Sequence, residues 1–314
     1  MNIYYPYSNK RVLITGASGF IGKHLTANLL QQGALVSTID LMADHSSECS
    51  VTAYTGNLCD ATFVENCLLQ AQPEIIFHLA AYKERSVLME SFKVAIAANL
   101  DATLNLVTFA QQNRTLQALV VMGTVDEYGS NTAPFMEGTR EAPVSAYSFS
   151  KLCVTHLCEI MHTLYDIPCV VLRPTVAYGP GQATDMFIPA LIQSIIAGRT
   201  FPMTRGEQTR DFIYITDLIS AILQSGLCRV AYGQIINVGS GKTVTIAQLA
   251  RKVERMLGID SLVEYGALAY RKGEIMEYGV NLDRAHSLLN WQAEVSLDAG
   301  LRETIEYYKR NSCS

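Results

Sequence analysis

This 314-residue chain lacks a basic excess: 24 Lys and Arg stand against 29 Asp and Glu, for a net charge of −5. A nucleic-acid-binding surface needs the opposite balance, so that class is excluded. Long apolar runs are also missing. No segment approaches the ~18 residues of a membrane span, and Met1-Asn-Ile-Tyr-Tyr-Pro lacks the basic start and apolar stretch of a secretory signal. No membrane contact and a cytoplasmic location are therefore expected. The eight cysteines (Cys49, Cys59, Cys67, Cys153, Cys158, Cys169, Cys228, Cys313) include no Cys-x-x-Cys pair, and several sit in apolar runs. They read as reduced core thiols rather than a disulfide framework. Histidines are few and scattered. Cys153, His156 and Cys158 have no second cluster to complete a coordination shell, so no metal is expected. Charged residues are only 17% of the chain against 49% hydrophobic ones, which fits a compact core and not a tail or linker.

What is present is an alternation. Arg11-Val-Leu-Ile-Thr15, Ala34-Leu-Val-Ser-Thr-Ile39, Glu74-Ile-Ile-Phe-His-Leu-Ala80, Ala118-Leu-Val-Val-Met122 and Ile167-Pro-Cys-Val-Val-Leu172 are short apolar runs. Helical patterns separate them, from about Ile21 to Gln32, Ser91 to Gln112 and Tyr147 to Tyr165. Such spacing predicts parallel β-α-β units and hence an α/β fold with a doubly wound sheet. Past Tyr178 the Gly and Pro content rises and the alternation weakens. Residues 1–177 are thus expected to form the sheet domain with the catalytic residues, and residues 178–314 a smaller, closely joined lobe that mainly binds substrate.

Thr15-Gly-Ala-Ser-Gly-Phe-Ile-Gly22 follows a predicted strand and opens a helix, the setting of a Rossmann-type dinucleotide turn. Gly16 permits the tight turn, Gly19 lets backbone approach a pyrophosphate, and Gly22 lets helix and sheet pack closely. The pyrophosphate would lie on the backbone of Ser18, Gly19, Phe20 and Ile21, at the positive end of the helix. Asp40 ends the next strand, eighteen residues after Gly22, where a carboxylate binds ribose hydroxyls and repels a 2′-phosphate. With no Arg or Lys between Leu41 and Thr55, NAD is expected over NADP.

Tyr147 and Lys151 lie four residues apart in Ser145-Ala-Tyr-Ser-Phe-Ser-Lys151, one turn apart on one helix face. An ammonium there favours the phenolate, so the tyrosine can exchange a proton with an alcohol near neutral pH.

Taken in order, these motifs resemble the extended short-chain dehydrogenase/reductase family, in particular its nucleotide-sugar epimerases, dehydratases and reductases. The resemblance also runs through Gly56-Asn57-Leu58, His78-Leu-Ala-Ala81, Asn99, Thr124 to Tyr128-Gly129, and Tyr178-Gly-Pro-Gly-Gln182. Thr209-Arg-Asp-Phe-Ile-Tyr-Ile-Thr-Asp217, Asn237-Val-Gly-Ser-Gly241 and Arg271-Lys-Gly-Glu274 complete it. It implies Tyr147 as the acid/base, Lys151 as its electrostatic partner on the nicotinamide ribose, and Thr124 sharing the substrate O4 proton. Asn57, Leu58, Ala80, Lys83 and Asn99 would line the cofactor side, with Asn99 supporting the geometry from behind. Thr124, Asp126, Val176, Arg210 and Arg271 would face the substrate, the two arginines clamping a nucleotide diphosphate. A homodimer is expected.

For the reaction, the 4,6-dehydratases carry Thr-Asp-Glu where this chain has Thr124-Val125-Asp126, and a valine donates no proton. Dehydration is disfavoured. The acidic residues ahead of Tyr128-Gly129 are similar to those of 4-ketoreductases acting on 4-keto-6-deoxyhexose nucleotides, whereas Lys83 and Asp40 suit a 4-epimerase that retains NAD. Val176 stands where the family carries a substrate-binding Asn. Reduction of a nucleotide-linked 4-keto sugar is the favoured expectation, 4-epimerisation the alternative, and a catalytically silent NAD-binding relative the third.

Overall fold

The computed structural model describes residues 6–42, 50–83, 88–113, 115–271 and 273–311. Most of the opening Met1-to-Pro6 stretch, together with Cys49, Cys313 and Lys272, lies outside the described residues.

Strands β1 (Arg11–Thr15), β2 (Leu35–Asp40), β3 (Thr52–Thr55), β4 (Ile75–His78), β5 (Ala118–Met122) and β6 (Cys169–Pro174) form one parallel sheet. A three-residue strand, β7 (Val176–Tyr178), follows β6 at once. Farther along run β8 (Phe201–Met203), β9 (Thr209–Tyr214), β10 (Ile235–Val238), β11 (Thr243–Thr245) and β12 (Val263–Tyr265). The sheet has seven strands in the order β10-β6-β5-β4-β1-β2-β3. Every residue of β4 and β5 is buried, as expected of strands covered on both faces. Neighbouring side chains in β1 serve opposite layers: Val12 and Ile14 enter one apolar cluster and Leu13 the other, the period of two that a strand imposes.

Helices α1 (Phe20–Gln31), α2 (Ala61–Ala71), α3 (Met89–Ala95), α4 (Ala102–Gln112) and α5 (Ala146–Tyr165) connect the first six strands. After them come α6 (Phe187–Ile196), α7 (Ile215–Leu227), α8 (Ile246–Leu257), α9 (Asp283–Leu289) and α10 (Leu297–Asn311). Leu25 and Leu29 of α1 share a core with Leu218 and Ile222 of α7, while α2, α4 and α5 close the other face around Leu68, Leu106 and Val154. The chain is therefore a doubly wound α/β sandwich.

Three local outcomes differ from the sequence pattern. The helix expected from Ser91 to Gln112 is instead α3, a π-helical turn over Ile96–Asp101, and α4. Strand β3 reads TAYT and is largely exposed at the sheet edge, so it carries no apolar run to announce it. Strand β10, Ile-Ile-Asn-Val, lies beyond residue 178 yet pairs with β6 in the main sheet. Around it the later chain builds the three-stranded sheet β11-β9-β7, the pair β12-β8, and helices α6, α8 and α10.

Candidate active site

The order of the sheet reverses between β1 and β4. In such sheets a crevice opens there, beyond the carboxyl ends of the strands. The sequence-predicted residues gather at that end: Gly16 after β1, Asp40 closing β2, Asn57 after β3, Ala80 after β4, Thr124 after β5 and Val176 after β6.

The glycine turn is built for close approach. Gly16 has φ +74°, and a Cβ on it would lie 2.7 Å from the Ala80 nitrogen. A Cβ on Gly22 would meet the Gly16 carbonyl oxygen at 2.3 Å. The Asp40 carboxylate accepts hydrogen bonds from the Ser18 amide (3.2 Å) and the Ser18 hydroxyl (2.8 Å), which places it against the turn. The Gly56 amide donates to the Asp40 carbonyl, bringing Asn57 and buried Leu58 to the same strand end. No side chain caps the first turn of α1, whose N–H groups can take anionic oxygens. These residues fit a dinucleotide pyrophosphate with its ribose beside Asp40.

Beneath this turn His78 is fully buried, with Nδ1 2.7 Å from Thr15 Oγ1 and Nε2 3.0 Å from Thr103 Oγ1. Thr103 Oγ1 donates to the Asn99 carbonyl, so it accepts from the imidazole, and the Thr15 hydroxyl donates to Nδ1. Burial, helped by the nearby Lys151 charge, lowers the His78 pKa to about 3. His78 is a neutral strut.

Helix α5 starts at a reciprocal cap: the Ser148 amide donates to Ser145 Oγ, and the Ser145 amide donates to Ser148 Oγ. That start fixes Tyr147 in the first turn and Lys151 one turn on. Tyr147 is half-buried, whereas Lys151 is only 2% exposed. Burial lowers the Lys151 pKa to about 8, against the opposing pull of Glu127 and Cys158. Ser150 Oγ donates to the Tyr147 carbonyl and accepts from Asn99 Nδ2. Asn99 Nδ2 also donates to the Tyr82 carbonyl, and Asn99 Oδ1 accepts from the Tyr82 amide. Asn99 thus spends both N–H groups joining the segment after β4 to α5. The π-helical turn holding it is the type of irregularity that recurs at functional sites. Lys83 is exposed at the rim of that segment.

Thr124 caps the short 3₁₀ turn Val125–Tyr128. Its hydroxyl accepts from the Asp126 amide (3.2 Å), and its own amide donates to Glu127 Oε1 (2.8 Å). Val125 points into a small apolar cluster with Tyr128, Phe135, Tyr278 and Val280. Asp126 accepts from the Tyr278 hydroxyl (2.9 Å), and the Arg210 guanidinium lies over the Tyr278 ring, 5.1 Å from its centroid. Arg210 also donates to Glu274 (2.5 Å) and to the Thr209 and Ile275 carbonyls. The motif at Thr209 to Asp217 and the one at Arg271 to Glu274 therefore meet, with Arg271 exposed on the shared turn. Asp211, fully buried, accepts from the Ser240 and Gly241 amides, so two further motifs hold each other.

Sequence reasoning missed a buried ion pair. Arg173 and Glu127 are both fully buried, with Arg173 Nε and Nη2 2.8 and 2.7 Å from Glu127 Oε2. Arg173 also donates to Glu141 (2.8 Å) and lies over the Tyr128 ring. Burial pushes the Glu127 carboxyl up, while Arg173, Thr155 and the Thr124 amide oppose that. Glu127 accepts from the Thr124 amide, Thr155 Oγ1 and two Arg173 nitrogens, the acceptor role of a carboxylate. The available signal was Arg173 itself, a lone charge ending the apolar run Cys-Val-Val-Leu, which demands a buried acid.

A sequence profile described as the NAD dependent epimerase/dehydratase family matches residues 12–239. The chain is 30% identical to a UDP-glucuronate 4-epimerase of Thermodesulfobacterium geofontis, over 95% of this chain and 96% of that one. An epimerase structure from Methanothermobacter thermautotrophicus superposes with TM-score 0.90 at 25% identity, covering 98% of this chain and 94% of that one. The UDP-glucuronic acid 4-epimerase of Bacillus cereus, solved with UDP-glucuronic acid and NAD, gives 0.87 at 26% identity over 96% and 99%.

Proposed function

The chain belongs to the NAD-dependent epimerase/dehydratase family, and within it we propose a nucleotide-sugar 4-epimerase that keeps its NAD through turnover. The observation that carries this choice is the placement of the two acidic residues before Tyr128-Gly129. Their presence favoured a 4-ketoreductase in the sequence, but Glu127 is bound to Arg173 in the core and Asp126 to Tyr278. With both acids anchored, their likeness to those of the reductases weighs less, and the relatives named as epimerases support the alternative. Val125, buried beside Thr124, leaves dehydration without its acid.

Bound NAD supplies reversible hydride acceptance at C4 of the sugar. Tyr147, as phenolate, takes the O4 proton as the ketone forms and returns it when the sugar is reduced on its other face. The Lys151 ammonium stabilises the phenolate, and the Thr124 hydroxyl, already accepting from the Asp126 amide, points its proton to O4. Residues 178–314, with Arg210 and Arg271, hold the nucleotide diphosphate, and Val176 leaves the ring to be held by other groups. Exposed Leu104 on α4 and Ile160 and Leu164 on α5 supply the apolar surface for a homodimer.

The test is mass spectrometry of ligands released from the denatured protein, followed by NMR of nucleotide sugars incubated with the enzyme. Stoichiometric NAD and equilibration of a C4 epimer pair, without net consumption of NADH, is the expected result. Consumption of NADH dependent on a 4-keto sugar nucleotide would replace this reading with the reductase.

A further inference from the structure

We propose that Glu127 is a positioning residue that locks Thr124 to the helix carrying Tyr147 and Lys151. The proposal rests on the catalytic reading of those three residues. One carboxylate reaches three elements. Oε1 accepts from the Thr124 amide at 2.8 Å, and Oε2 accepts from Thr155 Oγ1 on α5 at 2.8 Å. Oε2 also takes both Arg173 contacts from β6. Thr155 lies one turn after Lys151 on α5, and Ser150, Lys151 and Thr155 are all buried.

Thr124 needs such a tether because it sits at the start of a four-residue 3₁₀ turn, a short element with weak hydrogen bonds of its own. Glu127 ties that turn to α5 through a charged hydrogen bond to Thr155. Bonds to a carboxylate are shorter and stronger than neutral ones, and one in a dry interior fixes geometry tightly. A proton passing between O4, Thr124 and Tyr147 requires the two hydroxyls within hydrogen-bond reach of one oxygen, and small misplacements are costly in rate.

The carboxylate acts on charge as well as position. The titratable groups that bear on Lys151 include Glu127 from the 3₁₀ turn, Cys158 from α5 and His78 from β4, together with the Tyr147 phenolate of the proposed mechanism. His78 is neutral. Glu127 is an anion that helps Lys151 stay charged. Its loss makes Lys151 release its proton at lower pH, so the alkaline limb of the rate profile moves down.

Thr155→Val removes the hydroxyl at nearly constant shape and leaves the Glu127–Arg173 pair in place. It should lower kcat about tenfold, keep KM for the nucleotide sugar within about twofold, and leave NAD content unchanged. Thr155→Ser, which keeps the hydroxyl, should recover most of the rate. Glu127→Gln should shift the alkaline limb of kcat to lower pH. If that variant does not fold, the Thr155 pair still decides. Wild-type kcat in Thr155→Val, or an equal loss in Thr155→Ser, overturns the proposal. A fully active Tyr147→Phe would instead overturn the catalytic reading beneath it, so the two failures are distinguishable.

Discussion

Lys151→Met should make the protein more stable while it destroys activity. Lys151 is 2% exposed, and its pKa falls from 10.5 to about 8. Each pKa unit is worth about 1.4 kcal/mol, so at neutral pH the folded state bears roughly 3 kcal/mol for holding that charge in a dry site. Methionine keeps the stem's packing and needs no hydration. Its introduction orphans no carboxylate, because Glu127 retains Arg173. The sign with pH follows from linkage. The lysine binds its proton less tightly when folded, so the cost is fully present below pH 8 and is relieved as pH rises from about 8 towards 10.5. The stability gap between variant and parent should therefore be widest near pH 7 and close across that window.

The assay is thermal unfolding of both proteins stripped of NAD, since bound cofactor would stabilise one more than the other. Near pH 7 the variant should melt roughly 5–10 °C higher, taking ~2–4 °C per kcal/mol for chains somewhat shorter than this one. A variant that melts lower, or a gap that does not change with pH, would refute the argument that Lys151 is a strained buried charge.

Tyr147→Phe should cut kcat by ~10²-fold or more with NAD still bound, since only the exchangeable proton is lost; turnover and released NAD measured on one sample check this. Gly22→Ala should abolish NAD retention, because its Cβ would meet the Gly16 carbonyl oxygen at 2.3 Å, whereas Gly19→Ala meets the same atom at 3.2 Å and should be the milder change; calorimetric NAD binding ranks them. Asp40→Ala should raise the NAD dissociation constant and narrow the preference over NADP, because the repulsion of a 2′-phosphate goes with the carboxylate; an unchanged ratio would remove Asp40 from the ribose site.

Much of the fold was legible because central strands of a parallel sheet are apolar on both faces. Runs such as Ala118-Leu-Val-Val-Met122 coincide with the strand found there. Legibility ended where that signal does: edge strand β3 is mostly polar, and β10 lies after a long stretch of lobe sequence. The π-helical turn at Asn99 was hidden for another reason. Its side chain bonds to Tyr82, seventeen positions earlier, and to Ser150, fifty-one later, and no local period encodes such a bond.

The same distinction divides the site. The placement of Gly16, Gly22, Tyr147 and Lys151 was readable because each pair sits within one turn or one helix, where spacing in sequence is spacing in space. Glu127 was not, since its meaning depends on Arg173, forty-six residues away, and on Thr155, twenty-eight away. In the sequence an acidic residue near Thr124 reads as chemistry. In the folded chain two basic nitrogens and two further donors surround the Glu127 carboxylate, so it has little left with which to exchange a proton with a sugar. Its neighbour Asp126 is tied through Tyr278 to the lobe that carries Arg210. The short segment from Thr124 to Tyr128 thus contains the hydroxyl proposed for the reaction and two carboxylates that hold the turn, one toward the sheet and one toward the lobe. A motif compared by composition alone cannot separate those roles, because an acid that gives a proton and an acid that anchors a turn are the same letter.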